Sequence, residues 1–151
     1  MTEVTTHESF MREALLEAEQ SAKNNEVPVG AVVISETKIL SRAHNRTILM
    51  HDPTAHAEIL AIREACRIKK NYRIPGCDLY VTLEPCAMCL GAILQARIRR
   101  LIFGALDPKS GAVQSIMTFP FDRLNHPLEI EGGILAEECG KILKDFFATK
   151  R

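Results

Sequence analysis

No apolar run in the sequence approaches the ~20 residues needed to cross a bilayer, so no transmembrane segment is expected. The stretch from Met1 to Glu8 has neither the basic start nor the apolar core of a secretory signal, and a cytoplasmic location is the expectation. An excess of charge is lacking too: 19 basic residues face 19 acidic ones. Proteins that hold nucleic acid through their overall field leave a basic signature. Here any such surface has to be local. The candidates are Arg97, Arg99 and Arg100; Lys69, Lys70 and Arg73; and Lys141, Lys144, Lys150 and Arg151. Each reads first as a solvated face. There is no internal repeat, low-complexity tract or linker. An odd count of five cysteines in a chain expected to stay inside the cell argues against a disulfide framework, which leaves metal binding or burial for each.

What is present is an ordinary globular composition, 46% hydrophobic and 25% charged over 151 residues, which suits one domain spanning 1–151 with a core that needs no staples. Element types alternate along the chain, the pattern of an α/β domain. Phe10, Met11, Ala14, Leu15 and Ala18 form a helical stripe over about 8–24. Val29 to Ile34, the polar stretch 35–38 and Ile39-Leu40 read as a hairpin, with Gly30 marking a bulge or a close backbone approach. Thr54 is placed to cap a helix over about 55–69, and Asp78 to Leu83 reads as a buried strand. Pro85 suits a helix start that runs through Leu94. Arg100 to Gly104 is a strand, 107–111 a loop, and Leu128 to Ile130 a short last strand. A final helix over about 134–148 buries Leu135, Cys139, Ile142, Leu143 and Phe146.

The chemistry is concentrated in His56-Ala57-Glu58 and Pro85-Cys86-Ala87-Met88-Cys89. A Cys-x-x-Cys pair at a helix start brings two sulfurs within reach of one ion, and the helix dipole there favours thiolate. Zinc accepts such sulfurs at ~2.3 Å and an imidazole nitrogen at ~2.0 Å, and three protein ligands leave a fourth tetrahedral position open, as in catalytic sites. A zinc so held makes hydroxide available from water near neutral pH. Glu58 follows His56 by two residues, a helical step of about 200°. It is therefore read as a general base beside the metal and not as a ligand on the same face. Taken singly, Cys-x-x-Cys is also a redox motif or half of a structural zinc site, and Glu58 is also a first-turn acid that suits the dipole. Of Cys66, Cys77, Cys139, His44, His51 and His126, none falls at the spacing of a fourth zinc ligand. Cys66 and Cys139 read as small core residues, and Cys77 has no assigned role.

Asp52 to Ile59, Leu79 to Cys89, Gly91-Ala92-Ile93, Gly104-Ala105, Asn125-His126 and Phe146-Phe147 resemble the tRNA-specific adenosine deaminases, members of the cytidine-deaminase-like superfamily of zinc deaminases. The resemblance runs from about Phe10 to Arg151, and Gln114 departs from the small residue usual in that family. It implies a three-layer α/β/α sandwich around a mixed five-stranded sheet, one zinc per subunit, and a homodimer. The implied reaction converts adenosine to inosine at the wobble position of a tRNA anticodon, that of an arginine tRNA. By position, His56, Cys86 and Cys89 hold the metal and Glu58 moves the protons. Asn45 and the Ala57 backbone meet the flipped base, and Asp107 and Lys109 meet flanking nucleotides. Asn125, Phe147 and Arg151 meet the anticodon loop. Two other functions fit the same motifs: deamination of a free base such as guanine or cytosine, and a zinc-stabilised RNA-binding module without catalysis.

Overall fold

A computed structural model describes residues 3–150, with side chains from residue 6 onward. Its elements in chain order are α1 (Glu3–Lys23), β1 (Gly30–Ser35), β2 (Lys38–His44), α2 (Ala57–Lys69), β3 (Asp78–Leu83), α3 (Ala87–Gln95), β4 (Arg100–Ala105), a 3-10 turn at Phe121–Arg123, β5 (Glu129–Glu131) and α4 (Ala136–Ala148). The sheet order is β2-β1-β3-β4-β5. β1 is antiparallel to both β2 and β3, whereas β4 runs parallel to β3 and to β5. This is the mixed five-stranded sheet the resemblance implies.

Strand alternation divides the core into two layers. Ala31, Val33, Leu79, Val81, Leu101 and Phe103 pack with Ala57, Ala61 and Ala65 of α2 and with Leu90 and Ile93 of α3. Val32, Ile34, Tyr80 and Ile102 face the other way, with Met11 and Ala14 of α1 and Cys139 of α4. Each large aliphatic side chain fully buried here stabilises the fold by roughly 1.5–3 kcal/mol. Alanine at three successive inward positions of α2 lets that helix sit close to the sheet. Gly30 is the close approach on the other face, since a Cβ there would lie 1.9 Å from the Ala14 carbonyl oxygen of α1. The register shift on β1 falls elsewhere, between Val33 and Ile34.

Several local expectations need correcting. Thr54 does not cap α2. Its amide and hydroxyl both donate to Asp52 Oδ1, at 2.8 and 2.7 Å, in a turn ahead of the helix. The helix starts at Ala57, with His56 as its extended N-cap residue. Pro85 likewise stands one residue ahead of the extended N-cap Cys86. β2 reaches His44, beyond the expected Leu40, because an edge strand tolerates the polar Ser41, Arg42 and His44. Of the five side chains expected to be buried on α4, only Cys139 is fully so. Cys77, without a role in the sequence, is 2% exposed in the core, while Cys66 is only half-buried.

Candidate metal centre and active site

The parallel pair β3–β4 delivers its C-terminal ends to one edge of the sheet, where α/β folds build their sites. α3 starts directly after β3, and the N-terminus of α2 is brought to the same place from the other side of β1. His56 and Cys86 are therefore both N-cap residues whose side chains meet, although 30 positions separate them. Neither caps its own helix through its side chain. The first amide of α2 is instead satisfied by Asn45, whose Oδ1 accepts the Ala57 N–H at 2.8 Å.

His56 Nδ1 lies 3.7 Å from Cys86 Sγ and 3.4 Å from Cys89 Sγ. All three ligand atoms fall within 4.8 Å of one another. A tetrahedral ion with the bond lengths of zinc has an N···S edge of about 3.5 Å, so this donor set fits a single ion of that kind. The electrostatics agree. The neighbouring Cys89 and then His56 pull the Cys86 thiol down to about 4. Hydrogen bonding to Cys86, together with burial, pushes the Cys89 thiol far up. Two adjacent sulfurs share one negative charge until a cation lies between them. His56 is raised by its hydrogen bond to Cys86 and by Glu58, against the effect of burial.

Glu58 is 4% exposed in the first turn of α2. Burial raises its carboxyl to about 7, against the lowering effects of its own backbone amide and of His56. A carboxyl near neutrality both takes and gives a proton at working pH. His56, Glu58 and Cys86 border a cavity of about 240 Å³ whose walls include Val27, Val29 and Leu83, with Asn45, Asp107 and Ser110 at its polar side. Its volume is below the ~300 Å³ lower end for drug-sized ligands.

Of the other residues singled out in the sequence, Asn45 and Asp107 line this cavity and Lys109, Asn125 and Phe147 are not in its lining. Ala57 is fully buried, its amide engaged by Asn45. Asp107 Oδ1 accepts the amides of Lys109 and Ser110 at 3.1 and 3.3 Å and so orders its own loop. Lys109 and Asn125 are exposed, and Phe147 is exposed at the end of α4 with its ring edge-on to Phe146. Arg151 lies outside the described residues. Sequence reasoning missed two buried acids. Glu26, 1% exposed, accepts the amides of Ile48 and Leu49 at 3.1 and 2.8 Å. Glu84, 2% exposed, gathers the 107–115 loop. A lone acid at the end of the apolar strand 79–83 was the available signal for the second.

The fold and the His/Cys/Cys group define a deaminase, and residues 5–151 match the MafB19-like deaminase family. The chain belongs, within that class, to the family of tRNA-specific adenosine deaminases. It is 48% identical over 146 residues to the tRNA-specific adenosine deaminase of Haemophilus influenzae, covering 95% of this chain and 84% of that one. It is 43% identical over 149 residues to the Bacillus subtilis protein of the same name, covering 98% and 92%. A solved structure from studies of A-to-I editing by tRNA:A34 deaminases at the wobble position of transfer RNA superimposes with a TM-score of 0.85. Its sequence identity is 47%, over 89% of this chain and 99% of that one.

Proposed function

We propose that this chain deaminates adenosine to inosine at the wobble position of a tRNA anticodon, with an arginine tRNA as its substrate. The observation that carries the reading is the meeting of His56, Cys86 and Cys89 beside the buried Glu58, in a chain of this family. His56 Nδ1, Cys86 Sγ and Cys89 Sγ would hold one zinc ion. When bound, zinc supplies the Lewis acidity that makes hydroxide available from water near neutral pH.

The chain's own groups do the rest. Glu58 takes the proton of the attacking water, passes it to the ring nitrogen beside the reacting carbon, and then helps protonate the departing amine. Adenosine and water become inosine and ammonia. Val27, Val29 and Leu83 offer apolar walls to the faces of a flipped base. With Oδ1 of Asn45 committed to Ala57, its NH2 remains as the donor toward the base edge. Lys109, Asn125, Phe147 and Arg151 are assigned to the RNA outside the cavity, by phosphate pairing and stacking. A homodimer is part of the same reading.

The test is incubation of the zinc-loaded protein with an arginine-tRNA anticodon stem-loop carrying an unmodified wobble adenosine, followed by sequencing of the product. Inosine at that position is expected, and its absence overturns the reading. Ammonia release from guanine or cytosine, with none from the RNA, would establish a free-base deaminase. RNA binding without any turnover would establish a non-catalytic module.

A further inference from the structure

The 107–115 loop forms one wall of the cavity yet belongs to no strand or helix. Its donors converge on one side chain. Glu84 Oε1 accepts the Asp107 amide at 3.0 Å and the Ser115 hydroxyl. Glu84 Oε2 accepts three successive amides, from Val113, Gln114 and Ser115, at 3.0, 2.8 and 3.1 Å. Successive N–H groups aimed at one point make a nest for an anion, and here the chain's own carboxylate fills it. Gly111 closes the arrangement, because a Cβ there would lie 2.3 Å from Glu84 Cδ and Oε1. A flexible carboxylate would swing away from such a contact, but one fixed by five donors does not.

We propose that Glu84 is a positioning residue for the substrate: its carboxylate, closed over by Gly111, sets the 107–115 loop as the wall against which the target nucleotide is held. This rests on the deaminase reading above. Glu84 borders the same cavity as Glu58, but both of its oxygens are committed to loop donors, which leaves it no part in proton transfer. The wall it fixes carries Asp107 and Ser110 on the polar side of the cavity. Glutamine is a poor substitute because it offers one accepting oxygen and turns an NH2 toward donors on the other side. Loss of the anchor therefore loosens substrate binding and leaves the metal ligands and Glu58, which sit on helix N-termini, in place.

The experiment compares full-length, zinc-loaded wild type with Glu84→Gln, Gly111→Ala and Ser115→Ala. It measures zinc per chain, amide hydrogen exchange, and the Kd, KM and kcat for the wobble-adenosine stem-loop. In the first two variants the amides of 113–115 should exchange at least ~10-fold faster than in wild type. Kd and KM should rise about tenfold in these two and two- to threefold in Ser115→Ala, with kcat within about threefold and zinc unchanged. Faster exchange with Kd and KM unmoved would reduce Glu84 to a structural part and overturn the proposal. So would a fall in kcat at constant KM, unchanged exchange, or loss of zinc. If Glu84→Gln does not fold, Gly111→Ala and Ser115→Ala decide by the same criteria. A wild type that binds the RNA but makes no inosine defeats the catalytic reading alone, and Kd still judges the wall. A wild type that does not bind the RNA overturns both.

Discussion

Glu58 and Glu84 border one cavity, both almost wholly buried, and their surroundings drive them in opposite directions. At the floor, burial dominates and lifts the Glu58 carboxyl to about 7. At the wall, burial also opposes ionisation, but the hydrogen bonds from Ser115, Gln114 and Asp107 outweigh it and hold Glu84 below the ordinary carboxylate range. Removal from water penalises the charged form, and donors restore it. One residue type thus supplies a proton carrier where donors are few and a permanent anion where they are many. Glu26 shares with Glu84 only the geometry, two backbone amides, of Ile48 and Leu49, meeting on its carboxylate.

The most drastic way to break the contrast is to remove the metal. Chelation should abolish deamination and lower the melting temperature, because Cys86 and Cys89 then share a single charge; added zinc should restore both, read by turnover and calorimetry. Glu58→Gln sharpens it from the floor. We expect zinc content and fold to persist while kcat drops at least ~10²-fold, and a smaller drop would remove Glu58 as the acid/base. The tenfold effects expected at Glu84 come next. Glu26→Gln should be milder still, destabilising the chain by about 1–2 kcal/mol with turnover near normal, as measured by urea unfolding.

The smallest effect tests whether donors and cations alone set a carboxylate far from the site. Asp78 is buried, yet Arg99 and Arg100 at 2.8 Å outweigh that burial and hold its carboxyl below the ordinary range. A depressed folded value means that its stabilisation is complete above the unfolded pKa of about 4 and is lost as pH falls through the folded one. The gap in melting temperature between wild type and Asp78→Asn should therefore be widest near neutrality and shrink below about pH 4. A gap that stays constant with pH would contradict the ion-pair account.

The sequence was most legible where periodicity and chemistry coincide. Asp78 to Leu83 is the observed strand without adjustment, and the ordered spacing of His56, Cys86 and Cys89 points to side chains that meet in the fold as a group able to hold a metal. It was least legible where one side chain serves the backbone of a distant segment. Glu84 and the amide of Ser115 are 31 positions apart, and nothing local to either announces the bond. Asn45 was assigned to the base through resemblance, while its hold on the Ala57 amide depends on β2 lying beside α2. α4 misled for another reason: its apolar stripe is clear, but only Cys139 is fully buried, against Gly104, where a Cβ would lie 2.4 Å from Cys139 Sγ, while Leu143 packs on the core half-buried.

His56, Cys86 and Cys89 come from the starts of two helices that are distant in sequence. Within this group, only the sulfurs of 86 and 89 are close in sequence. The imidazole joins them after β1 has paired with β3 and α2 has docked, which are contacts between distant parts of the chain and slow to form. An ion bound there would therefore tie together segments far apart in sequence, unlike the local loop of a small zinc module.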